Sequence, residues 1–571
     1  MKLSAALAIT SAVAAYSSKI QARSKASCHC FPGDACWPST SSWSKLNSTI
    51  GGRLIATVPI GTPCHDPTYS ASECAIVQDS WTTPKLHLDS SSSIMAPYFA
   101  NQSCDPFTAE SQPCLLGNYV RYTVNVSTVD DVVAGVKFAA ANNIRFVIRN
   151  TGHDFLGRST GAGALSVWTH HLKDIEFKQF SDKYYTGSAV KLGAGIEGYE
   201  IVTAAAAKGL VVVGGECPTV GLAGGYTQGG GHSALSTNFG LAADQTLEFE
   251  VVTASGALVT ASRTKNTDLY WALSGGGGGN YGIVVSMTVK TYPDAPVGGA
   301  GMQIGAAYTT QDKFYQAIEE FHTLLPAMVD NGTMVVYYFT DTFFVINPVT
   351  AYNKTAADVQ AILAPFVAVL NGLSIPFAVS YTDSATYADH YERYMGPLPY
   401  GNLGVSEYQY GSRLVPRSVV ENSNPALQAV LRNVTEAGVM VVGVATDVSA
   451  PVKSGNISNA VLPAWRDALV HTYLTTSWNS SASAWDDMLR NQDLMTNDWM
   501  PQLEAVTPGS GAYMNEADFR QPDFQTVFFG ANYAALLAIK KKWDPTSLFY
   551  ATAGVGSEAW TVANDGRMCR A

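Results

Sequence analysis

Charge is scarce in this chain. Only 14% of its 571 residues are Asp, Glu, Lys or Arg, and the balance is acidic, at −11. A protein short of Lys and Arg lacks the field that draws phosphate backbones or anionic bilayers, which argues against nucleic acid or a membrane surface as partner. Long apolar runs are missing too. Past the N-terminal region no segment stays apolar for the ~18 residues a spanning helix needs. There are no internal repeats and no disordered linker. The middle of the chain also lacks thiols, with a single cysteine, Cys217, between residues 115 and 568.

Cysteine is instead crowded at the ends. Cys28, Cys30, Cys36, Cys64, Cys74, Cys104 and Cys114 fill the N-terminal part and Cys569 almost closes the chain. With Cys217 set aside, eight remain, an even number suited to four disulfides in an oxidising compartment, though spacing does not fix their pairing. Cys28-His29-Cys30 could hold a metal, but export favours disulfides and no metal is expected. The opening MKLSAALAITSAVAAYSSK has one early lysine, a short apolar stretch and small residues, the pattern of a signal peptide over residues 1–22 with cleavage between 15 and 26. Eight N-x-S/T sequons, at Asn47, Asn101, Asn125, Asn331, Asn353, Asn433, Asn456 and Asn479, fit a secreted glycoprotein and predict surface positions.

The chain divides by texture. After a Cys-rich segment (23–115), residues 116–299 alternate β-rich runs with glycine clusters. Tyr119 to Val126 predicts a strand, the run after Ser127-Thr128 a helix, and Ile144 to Ile148 and Ala164 to Trp168 two strands flanking a glycine loop. No helix directly follows that loop, which excludes the Rossmann fingerprint. Residues 300–505 carry aromatic and β-branched runs between helical patterns, one of them, Ala356 to Leu370, expected to kink at Pro365. This predicts an α+β substrate domain on an antiparallel sheet. Residues 506–571, with a helix over Asn532 to Lys542, are expected to return to the first domain.

Nine glycines lie between Gly214 and Asp244, with Cys217 among them and no Lys or Arg. Such a stretch lets backbone N–H groups approach a flat or phosphorylated ligand. His153, in the loop RNTGHD, offers a second reactive group among small residues.

Arg149-Asn-Thr-Gly-His153-Asp, Cys217-Pro-Thr-Val-Gly221, Gly229-Gly-Gly231, Asn238-Phe-Gly-Leu-Ala-Ala-Asp244, Tyr281-Gly-Ile-Val and Ala512-Tyr-Met-Asn-Glu-Ala-Asp518, in this order, resemble the vanillyl-alcohol-oxidase-type flavoproteins. The nearest branch is the berberine-bridge-enzyme-like oxidases, in secreted fungal forms related to isoamyl alcohol oxidase. The resemblance implies a two-part PCMH-type FAD-binding domain. It also implies FAD attached twice, through His153 to the 8α-methyl and through Cys217 to C6. Arg149, Asn150, Thr151, Gly152, Asp154, Ser159, Val220, Gly221, Gly225, Gly229, Gly230, Gly231, Asn238, Gly240, Leu241, Asp244, Gly282, Ile283, Val284, Asn515 and Asn532 would line the cofactor. Tyr513 matches the family's active-site tyrosine. His232 stands where many plant members have a second tyrosine, so the base falls between Tyr513 and His232. Val220 occupies a position associated with oxygen access.

The expected protein is then an exported monomeric oxidase that passes a hydride from an alcohol to flavin N5 and reduces oxygen to hydrogen peroxide. Oxidative cyclisation or desaturation of a secondary metabolite would use the same site. A flavin-free carbohydrate-binding glycoprotein is the alternative without catalysis.

Overall fold

A computed structural model describes residues 28–450 and 458–571. The expected signal peptide and the Asn456 sequon lie outside these residues. Among the described residues three large sheets and two two-stranded ones build the molecule, and the large ones follow the textures of the sequence.

The first sheet has four strands in the order Leu54–Ala56, Tyr122–Asn125, Leu165–Trp168, Phe146–Arg149. Leu165–Trp168 pairs in parallel with both of its neighbours, and the helix Val129–Ala141 connects those neighbours in sequence. Asp131 starts that helix by accepting the Thr128 backbone N–H, and Val132, Val136 and Ala139 pack its apolar stripe on the sheet. The second sheet is antiparallel, in the order Ile175–Ser181, Thr186–Gly193, Ile283–Lys290, Thr246–Val252, Leu258–Ser262.

Seven antiparallel strands form the third sheet, between Val297 and Ser477. Period-two alternation divides its faces. Val335, Tyr337, Phe339, Val441 and Leu474 join one core with the helices Gln311–Asp330, Ala356–Leu373 and Arg417–Glu436. Val336, Tyr338, Val442, Tyr473 and Thr475 line a cavity on the opposite face.

Two expectations need correction. The helix Ala356–Leu373 runs on through Pro365; the broken helix is Arg417–Glu436, where Ser423 leaves helical angles two residues before Pro425. Ala356–Leu373 is also long and apolar enough to cross a membrane, with a mean hydropathy of 1.5. Its Val359, Leu363, Phe366 and Leu370 are buried in the core of the third sheet.

The tail does return: Ala512, Met514, Phe528, Phe529 and Leu536 share a core with the second sheet. Four disulfides join Cys28–Cys569, Cys30–Cys36, Cys64–Cys74 and Cys104–Cys114, and Cys217 is the one cysteine left free among the described residues. Asn101, Asn331, Asn353, Asn433 and Asn479 are exposed. Asn47 and Asn125 are half-buried, and Asn125, inside a strand, has its Oδ1 shut off from solvent. Strand pairing there limits the surface position its sequon implied.

Candidate active site

The loop after Arg149 and the glycine-rich stretch dock against one another. Gly152 sits at φ +92°, which frees the turn before His153. At Gly221 a Cβ would come 2.6 Å from Asn150 Oδ1, so only glycine lets the two loops close. Asp154 fastens the far side, accepting the Leu156 and Ser159 backbone N–H groups at 3.1 and 2.6 Å. As a result His153 and Cys217 converge on one hydroxyl: Thr219 Oγ1 lies 2.7 Å from His153 Nε2 and 3.5 Å from Cys217 Sγ.

Both groups line a cavity of about 820 Å³ together with Asn150, Thr151, Gly152, Asp154, Ser159, Val220, Gly221, Gly225, His232, Tyr513 and Asn515. Burial brings the His153 imidazole down to about 4, with His87 and Arg149 adding to the shift, so it is neutral at neutral pH. Burial pushes the Cys217 thiol up, against hydrogen bonding with Thr219.

The other expected cofactor residues do not line this cavity. Arg149 is buried and donates to the Ser93 and His87 carbonyls, clamping the N-terminal segment. At Gly229 and Gly231 a Cβ would collide with Asn515 and Tyr226, and Gly230 sits at φ +125°. Gly240 ends a short helix and Leu241 belongs to a core cluster with Tyr513. Asn238 is exposed. Asp244 is fully buried and spent on Arg466 at 2.8 Å and on Asn459. Gly282 abuts Val251, and Ile283 and Val284 are strand core. Asn532 donates to the Ala460 and Val461 carbonyls.

Across the cavity, the two expected catalytic residues do meet. The His232 and Tyr513 rings are 5.6 Å apart, edge to face. Their hydrogen bonds were not legible in the sequence. His232 Nε2–H donates to Glu516 Oε2 at 3.0 Å and His471 Nε2–H donates to the same oxygen at 2.9 Å. Tyr473 also hydrogen-bonds to this carboxylate. Burial alone would raise the Glu516 carboxyl, but the charge and hydrogen bond of His232 and the bond from His471 hold it well below the carboxylate range. Burial likewise opposes a charge on His232, yet Glu516 lifts its pKa above the usual value.

The Tyr513 hydroxyl accepts from Asn515 Nδ2 at 2.8 Å and from the Gly231 N–H. Burial and the neighbouring Glu516 charge push its pKa far up, so it stays a phenol. The ligand atoms of His232, His471 and Glu516 lie within 4.8 Å of one another, close enough for a cation. Here the two N–H groups are already turned toward the carboxylate.

Glu516 stands inside the YMNEAD motif that located Tyr513, so its sequence signal existed. His471 had none, because its place comes from strand alternation in Ala468–Ser477. Glu216, beside Cys217, also lines the cavity and was passed over.

The sequence matches two families, an FAD binding domain over residues 120–262 and the "Berberine and berberine like" family over 512–556. The FAD-linked oxidoreductase ZEB1 of Gibberella zeae is 55% identical, with 96% of each chain covered. The bifunctional decalin synthase calF of Penicillium decumbens is 42% identical, with 96% of each chain covered. The crystal structure of the VAO-type flavoprotein MtVAO615 from Myceliophthora thermophila superposes with a TM-score of 0.91 at 42% identity, covering 95% of this chain and all of that one. The donor set suits a flavin as well: a neutral imidazole and a free thiol share one glycine-lined wall. The chain belongs to the FAD-linked oxidoreductases of the vanillyl-alcohol-oxidase and berberine-bridge-enzyme-like family.

Proposed function

We propose that the protein is an oxidase holding FAD through both His153 and Cys217 and acting on a neutral, aromatic or conjugated alcohol. The observation that carries this reading is the convergence of His153 Nε2 and Cys217 Sγ on Thr219, across one cavity from the His232–Glu516–His471 cluster. Thr219 engages His153 Nε2, which leaves Nδ1 as the nitrogen available to bond carbon. FAD, when bound, supplies the acceptor for the substrate's hydride and returns the electrons to oxygen as hydrogen peroxide.

This chain's residues handle the proton and the fit. Glu516 is the accessible member of its cluster, with 25% of its side chain exposed against 7% for His232 and 0% for His471. The substrate hydroxyl meets the cluster there, and Tyr513 O–H donates to the substrate oxygen. Glu516 is a weak base at rest, yet loss of a hydride makes the hydroxyl proton strongly acidic, so a weak base suffices. The proton is then shared with the histidines, which titrate with Glu516 as one unit.

Tyr338, Tyr408, Tyr410, Tyr473, Phe155 and Phe519 line the cavity, and Arg158 is the one Lys or Arg on its wall among the described residues. With Glu516 held as an anion beside them, these rings favour flat neutral substrates over anions. Val220 on the wall supports oxygen as the acceptor. The decalin synthase among the relatives supports oxidative cyclisation as a second reading, and product structure separates the two.

The test is peroxide release by purified protein with benzylic and allylic alcohols set against oligosaccharides. Peroxide in proportion to alcohol consumed is expected. Turnover confined to oligosaccharides would overturn the substrate class.

A further inference from the structure

Glu216 has no part in the chemistry above, yet its carboxyl is built into the cavity wall one residue before Cys217. Its Oε1 is shut off from solvent and has no hydrogen-bond partner among the described residues. The tyrosines around it are engaged elsewhere. Tyr391 O–H donates to the Gly215 carbonyl at 2.8 Å, Tyr226 O–H donates to the His232 carbonyl at 2.8 Å, and Tyr387 pairs with Ser233. His232 Nε2–H is given to Glu516, and Tyr473 serves the same carboxylate. His232, whose Nδ1 is also without a partner, is the one cation whose charge acts on Glu216, and burial together with the Glu516 anion outweighs it in favour of the neutral acid.

We propose that Glu216 is a protonated carboxylic acid that recognises the substrate, hydrogen-bonding a second oxygen in addition to the alcohol being oxidised. This rests on the oxidase reading and narrows its substrate class to polyoxygenated aromatic or conjugated alcohols. The electrostatics agree. Burial raises the Glu216 carboxyl to about 7, opposed by His232 and assisted by the Glu516 charge. The other titratable groups facing it, Tyr226, Tyr387, Tyr391 and Tyr473, are phenols that burial keeps neutral.

Two carboxyls in one cavity thus take opposite forms. Glu516 is ionised by the histidines that donate to it, and burial beside the Glu516 anion favours the neutral form of Glu216. Divergent environments of this kind separate the roles of two acids. Glu516 accepts, and Glu216 donates.

The first measurement needs neither substrate nor flavin. Infrared difference spectra of wild type against Glu216→Gln, at about pH 5 and about pH 9, should show a protonated-carboxyl band at the lower pH that disappears at the higher. The second compares benzyl alcohol with 2-, 3- and 4-hydroxybenzyl alcohol. At least one hydroxylated probe should be preferred, and Glu216→Leu should raise its KM roughly 10- to 100-fold with little change in kcat and none for benzyl alcohol.

Glu216→Gln, which keeps an N–H donor, should restore most of the loss. If no probe turns over, calorimetric dissociation constants carry the same comparison, and the covalent flavin content of each preparation reports separately on the oxidase reading. Absence of the band, or a loss in Glu216→Leu shared equally by all four alcohols, overturns the proposal.

Discussion

At the scale of single residues, the site turns on which groups have donors and which do not. Glu516 receives hydrogen bonds from His232, His471 and Tyr473 and is held as an anion. Glutamine at 516 keeps the size and removes the charge. Glu516→Gln should slow flavin reduction by roughly 10²- to 10⁴-fold, the span typical of losing a general base. It should also move the pH profile.

His232 has its pKa raised by Glu516, so the wild-type rate should climb with pH through a value above 6.5 as the cluster loses its proton. Without the carboxylate that rise shifts to lower pH. Stopped-flow reduction across pH reads both effects, and an unchanged rate and profile would remove Glu516 from proton transfer. His153, Cys217, His232 and Tyr513 were legible because glycine loops and short motifs mark them. His471 was not, since strand register alone brings it to the site.

At the scale of elements, the seven-stranded sheet joins catalysis to stability. His322, on the helix Gln311–Asp330, engages the Ile318 carbonyl through Nδ1 at 2.8 Å and the Tyr337 hydroxyl through Nε2 at 2.9 Å. Burial lowers its pKa from 6.5 to about 4. A histidine depressed on folding gives stability that is complete above its unfolded pKa and is lost as pH falls toward the folded one.

Chemical denaturation should therefore show stability falling between about pH 6.5 and pH 4. His322→Gln should flatten that slope by up to roughly 3 kcal/mol, the free-energy equivalent of the shift. The same slope in the variant would place the acid sensitivity elsewhere. Alternation of aromatic and β-branched residues made this sheet readable in advance. The break at Ser423 was missed because Pro365 and Pro425 look equally disruptive in sequence, and local packing decides which helix yields.

At the scale of the whole molecule, the chain is closed on itself. Cys28 and Cys569 are bonded across 541 positions, and the tail packs into the core of the second sheet. The buried Asp244–Arg466 pair fastens the glycine-rich stretch to the substrate side. The resemblance had given Asp244 to the cofactor. Its motif position was visible in the sequence, but its partner, 222 residues away, was not.

The glycine loops meet in one wall on which an imidazole and a thiol lie against the same hydroxyl. The direct test is to precipitate the purified protein with acid, digest it, and weigh the flavin-absorbing peptides. Colour should stay in the pellet, and one flavin mass should link the peptide of His153 to that of Cys217. Flavin released entirely to the supernatant, or bound to peptides lacking both residues, would contradict it.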